Sequence, residues 1–150
     1  MQEEPNGVVI PQNVIEDSNA NKRKGKKTLA QLPVYRATAN LKFVIVSMMQ
    51  TSPKKLLKFF DQMLVTVSEA KKAIGMADIA RSQQDRAWYL DCARVLVQDL
   101  SDDFTTLRKL PAPIIGRDLD NKAKALVKSV IAQLVAWRDY TRNEGADQMG

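Results

Sequence analysis

Four stretches of this chain repeat apolar residues at alternating intervals of three and four, and breaks marked by proline, glycine or a capping residue separate them. Such spacing lines one face of an α-helix and, where it alternates strictly, gives the heptad pattern of bundle helices. The sequence predicts helix 1 from Val34 to Thr51, opened by Pro33, with a stripe of Ala37, Leu41, Val44 and Met48 beside a second of Tyr35, Ala39, Phe43 and Val46. In the segment TSP, Ser52 is the expected cap and Pro53 the first residue of helix 2. Its stripe is Leu56, Phe60, Met63, Val67, Ala70 and Ile74, flanked by Leu57, Leu64 and Lys71, and Gly75 weakens the helix near its end. Helix 3 is expected from between Asp78 and Gln83 to Leu110, capped by Asp78 or Ser82. Its face is Tyr89, Ala93, Leu96, Leu100 and Leu107, with Trp88, Cys92 and Val95 alongside. Pro111 and Pro113 end it. Helix 4 spans about Arg117 to Thr141 on a stripe of Leu119, Ala123, Leu126, Val130, Leu134 and Trp137. No alternating strand pattern competes. The expected fold is all-α, an antiparallel up-down four-helix bundle over residues 32–143. Residues 1–31 read as a disordered basic arm, and residues 144–150 as a frayed tail.

One segment strains that fold. FVIVSMM, Phe43 to Met49, holds six apolar residues in seven. A helix in a monomeric bundle buries a single stripe, and Phe43, Val44, Ile45, Val46, Met48 and Met49 exceed one stripe. Exposed apolar patches mark interfaces, so self-association is the expected cover, with Phe43, Val46 and Met49 as contacts and Leu57 and Leu64 as a second row. The alternative is a packed central helix that the arm or a long loop covers.

Chemistry is constrained mostly by what the chain lacks. It has no histidine, which removes histidine-based nucleophilic sites, histidine-ligated metal sites and the Glu-x-x-His di-iron centre of some bundles. Its glycines are scattered, so no phosphate-cradling loop forms. Asp102 and Asp103 are adjacent on a helix and point about 100° apart, as solvated groups do. No enzymatic activity, cofactor or metal is expected. The lone Cys92 reads as a small buried hydrophobe and rules out a disulfide framework. No apolar run approaches the roughly 20 residues of a spanning helix. The start, MQEEPNGVV, lacks the form of a secretory signal, so a cytoplasmic location is expected.

The formal charge is +6. Residues 1–31 hold five bases, in the cluster NKRKGKK, and four acids, so almost all of the excess lies in the helical part. A basic balance favours anionic partners, nucleic acid above all. The candidate phosphate contacts are Lys122, Lys124, Lys128, Arg138 and Arg142 on helix 4, with Lys54, Lys55 and Lys58 near the helix 1–2 turn. Lys54, Lys55 and Lys58 fall in a first helical turn, where the macrodipole disfavours cations by tenths of a kcal/mol, which suggests a use beyond stability. Tyr140 lies off the main stripe and is the candidate base-stacker. The plain alternative for these side chains is a solvated face, diluted by Asp118, Asp120 and Asp139.

LPVY at the start of helix 1, SP at the start of helix 2, the proline-broken turn before helix 4 and IAQLVAW (Ile131 to Trp137) resemble the small bacterial four-helix bundle proteins encoded in intervening sequences of large-subunit ribosomal RNA. The helix 4 end, AWRDYTR, is more similar to the accessory variability determinant proteins of diversity-generating retroelements, found in bacteria and phages. The resemblance covers about residues 32–143. It implies a basic, ring-like homopentamer without catalysis of its own, which binds RNA and DNA with little sequence preference and partners a reverse transcriptase during mutagenic copying of a template RNA. The alternative is an interaction scaffold of the intervening-sequence type, and a metal-free enzyme using Lys, Tyr or Asp ranks last.

Overall fold

The computed structural model describes residues 28–111 and 114–149, with side chains as far as 143. Among these residues every regular element is helical: α1 (Pro33–Gln50), α2 (Leu57–Ile79), α3 (Gln83–Arg108) and α4 (Arg117–Met149), with 3₁₀ turns at Leu29–Gln31 and Lys54–Leu56. Each helix packs on the one before and after it, and α1 packs on α4, so the four close an all-α bundle with α3 diagonal to α1. Two ion pairs fix the course of α3 against α4. Asp91 meets Arg138, and Arg108 meets Asp120. Seventeen residues forward on α3 thus correspond to eighteen back on α4, which is an antiparallel pair in steady register. None of the described helices is long and apolar enough to cross a membrane.

The helix ends follow local hydrogen bonding. Pro33 opens α1, where its missing N–H is no loss. Ser52 does not cap α2. Its hydroxyl donates to the Met48 carbonyl at 2.6 Å and so closes the last turn of α1, and a 3₁₀ turn then leads into α2, which starts at Leu57. Ser82 is the cap of α3, its oxygen accepting from the Asp85 N–H at 3.0 Å. α2 runs through Gly75, which is buried, to Ile79. Ala73, Gly75 and Ala77 are all buried near that end. Arg86 ties the α2–α3 turn: its guanidinium donates to the carbonyl of Ala77 at 3.0 Å, which also accepts from the Ala80 N–H at 3.4 Å, and to the carbonyl of Ala80 at 3.1 Å.

The core of α2 is the stripe that the spacing predicts: Phe60, Met63, Val67, Ala70 and Ile74 are buried, with Leu56 half-buried at the start. On α3 the inward face is Leu90, Ala93, Val97, Leu100, Phe104 and Leu107, while Tyr89 and Leu96 pack at its edge. On α4 it is Ala123, Val127, Val130 and Leu134, with Leu119, Leu126 and Trp137 flanking. Thr38 is buried on α1 because its hydroxyl donates to the Val34 carbonyl at 2.8 Å.

The bundle itself answers much of the FVIVSMM problem. Val44, Ile45 and Met48 are buried, Met49 packs against the core and Val46 is half-buried. α1 lies between α2 and α4, so the covered arc is wider than a single stripe. Phe43 alone of the six is left fully in solvent, at 72% exposure.

At the edges of the bundle, Leu29 is buried and the turn around it is closed by a capping box between Thr28 and Gln31. The rest of the N-terminal arm, including NKRKGKK, lies outside the described residues. α4 continues to Met149, through the stretch expected to fray.

Candidate nucleic-acid interface

The nine side chains proposed for nucleic acid divide between two ends of the molecule. The end of α1, the starts of α2 and α4 and the end of α3 meet at one end. Lys54, Lys55 and Lys58 are exposed there, and Lys122 is exposed one turn into α4. Among the described residues no ion pair engages these four. Lys54 and Lys55 sit in the 3₁₀ turn just past the C-terminus of α1, whose carbonyl end attracts cations. The misplacement inferred from the sequence is therefore smaller than a first-turn position would give.

Lys124 and Lys128 lie farther along α4, on a groove between α3 and α4 whose floor is Phe104 and Val127. Lys124 is 3.6 Å from Asp120, and Asp120 is already held by Arg108 at 2.7 Å. One carboxylate thus partly neutralises two cations. Lys128 is exposed beside them.

Arg138 does not stand free for phosphate. Its guanidinium forks the Asp91 carboxylate of α3, with Nε to Oδ1 at 2.9 Å and a second N–H to Oδ2 at 3.0 Å. Those hydrogen bonds, and the Asp91 charge behind them, push its pKa above the usual guanidinium value. It is a tie between helices. Tyr140 is 65% exposed and Arg142 reaches Asp139 at 3.3 Å on the surface. Both belong to the far end, since twenty residues of helix from Lys122 to Arg142 amount to about 30 Å.

Of the five expected interface residues, Phe43 is exposed and Leu57 is borderline at 36%. Val46, Met49 and Leu64 are half-buried, and Met49 and Leu64 pack against the core.

Two features were missed in the sequence. No acid occurs between Asp17 and Asp61, a stretch with ten bases that includes the whole of α1 and the turn after it. Counting charges by position, instead of by cluster, exposes it. The second is the outer face of α3. Trp88 is 62% exposed and Val95 49%, and with Asp91, Cys92 and Leu96 they line an open, mostly apolar groove. Cys92 is half-buried on that groove and is not a core residue. One turn on, the face becomes acidic with Asp99, Asp102 and Asp103. Burial, then the charges of Asp99 and Asp102, hold the Asp103 carboxyl above its usual 3.8. Among the described residues, no cluster of three or more cysteine or acidic side chains is placed to hold a metal ion.

These features define an all-α bundle with one basic end and one apolar-to-acidic flank. No family model, no curated protein and no solved structure matches the chain.

Proposed function

We propose that this chain is a basic helical accessory protein, without catalysis of its own, that binds nucleic acid through its phosphates. The observation that carries this reading is the exposed set Lys54, Lys55, Lys58 and Lys122, without ion pairs among the described residues, at the end of an acid-free α1. Cations that no acid among the described residues pairs with keep their counterion-releasing capacity for phosphate. The finer reading, a cytoplasmic homopentameric partner of a retroelement reverse transcriptase, draws on the likeness of the helix 4 end, AWRDYTR, stated above, beside the broader likeness of LPVY, SP and IAQLVAW. A second reading, the protein-interaction scaffold, draws on the exposed Trp88 and Val95 of α3.

The test is binding of a labelled structured RNA, and of a DNA–RNA hybrid, across a salt series. The reading requires affinity that falls linearly in log–log form with salt and shows little sequence preference. Absence of binding at low salt would remove it and leave the scaffold.

A further inference from the structure

Phe43 is the exposed apolar side chain that the basic end leaves unexplained. It stands on α1 at the rim of a groove between α1 and α4, and Lys122 stands on the opposite rim. Val44 and Leu119 line the floor. Asn40 and Ser47 supply polar groups one turn to either side of Phe43, and among the described residues no acid lines the groove. The Ser47 hydroxyl donates to the Phe43 carbonyl at 3.0 Å, which leaves its oxygen free to accept. The Asn40 amide carries both a donor and an acceptor. An aromatic face in solvent, a cation across from it and small hydrogen-bonding groups beside it are the components of a single-strand binding groove. The ring stacks a base, the cation meets the phosphate, and the polar groups take what base edges present. From Phe43 to the end of α1 is seven residues, about 10 Å of helix, after which Lys54, Lys55 and Lys58 continue the positive track.

We propose that the α1–α4 groove binds single-stranded nucleic acid, with a base stacked on Phe43 and the adjoining phosphate on Lys122. The site rests on the nucleic-acid reading above and narrows it. Duplex bases are stacked on one another and offer no free face to Phe43, so the groove selects unpaired strands. Stacking is tolerant of base identity, so the selection is for strandedness and not for sequence.

The experiment uses the full chain and a labelled 20-nucleotide oligothymidine, titrated by fluorescence anisotropy at several salt concentrations. Phe43→Ala is expected to weaken binding by about 5- to 150-fold with the salt slope unchanged, as loss of one stacked base requires. Phe43→Trp is expected to restore it. Lys122→Ala is expected to lower the slope by about 0.7, one single-strand phosphate contact. Duplex affinity should not move with Phe43→Ala. If Phe43→Ala binds the strand as the native chain does while Lys54, Lys55 and Lys58 variants weaken it, the groove proposal falls and the nucleic-acid reading stands. If the native chain does not bind at low salt, both fall. Light scattering covers the other occupant: a multimer that Phe43→Ala breaks apart assigns the groove to a second copy and overturns the proposal.

Discussion

α1 and α3 are diagonal partners in one bundle, each flanked by α2 and α4, and their inward faces are alike. Leu41, Ile45 and Met48 on one and Leu90, Val97, Leu100 and Phe104 on the other are all essentially inaccessible. Their outward faces have opposite chemistry. α1 carries Arg36, Lys42 and the exposed Phe43 with no acid along its length. α3 carries Trp88 and Val95, then Asp99, Asp102 and Asp103. The heptad positions make the fold and leave the rest of each helix free, so two helices with interchangeable cores can present opposite charges to solvent. The core assigns the architecture, and the outer positions set the surface chemistry.

The largest effects should separate inside from outside on each helix. Ile45→Ala and Val97→Ala remove fully buried side chains and are expected to cost about 2–4 kcal/mol in chemical denaturation. Phe43→Ala and Trp88→Ala, on exposed positions, should stay within about 0.5 kcal/mol. A large loss at Phe43 would mean that its face is covered in solution and would break the comparison. Next in size, changing Lys54, Lys55, Lys58 and Lys122 together to Ala should lower nucleic-acid affinity by at least about tenfold in 0.1 M salt and flatten the salt slope. Changing Asp99, Asp102 and Asp103 to Asn should raise affinity at low salt by removing like-charge repulsion of phosphate. Equal responses from the two sets would show that net charge alone governs binding.

Arg138→Ala tests an assignment that the structure moved from binding to architecture. It should lower the melting temperature by several degrees, and Arg138→Lys should not restore it, because an ammonium lacks the two-pronged fit to Asp91. Its effect on the salt slope should be small. The smallest effect is at Asp103. Its carboxyl is held above the usual value, so the folded chain keeps that proton to higher pH than the unfolded chain does. Stability is therefore lost as pH rises from below 3.8 through the raised value, and the ionised group opposes folding at neutral pH. Asp103→Asn should raise the melting temperature at pH 7 and leave it unchanged near pH 3.

How much of this was legible beforehand depended on how many apolar rows a helix carries. α2 has one dominant row, and Phe60, Met63, Val67, Ala70 and Ile74 could be read directly from it. α3 has neighbouring rows: Leu90 and Val97 point inward, Tyr89 and Leu96 lie at the edge, and Trp88 and Val95 face solvent. All are apolar at compatible spacing, so periodicity finds the helix without choosing its inward row. The same ambiguity exchanged Leu126 for Val127 on α4. At the candidate site, the lysines of the α1–α2 turn were visible as charges. Arg138 was visible as a charge too, but its partner lies 47 residues away, and only the packing of α3 on α4 brings them together. The sequence reads Phe43 as an interface residue along with Val46 and Met49, and it does not show that the bundle covers Met49 while leaving Phe43 exposed.

The Arg86 contacts to Ala77 and Ala80 have a consequence in time as well as in space. They join residues no more than nine apart, and loops of that length close in roughly 10–100 ns. The α2–α3 hairpin can therefore assemble before α1 and α4 arrive, and serve as the surface on which they dock. Arg86→Ala should then slow refolding more than it speeds unfolding, which the two limbs of a denaturant chevron would separate.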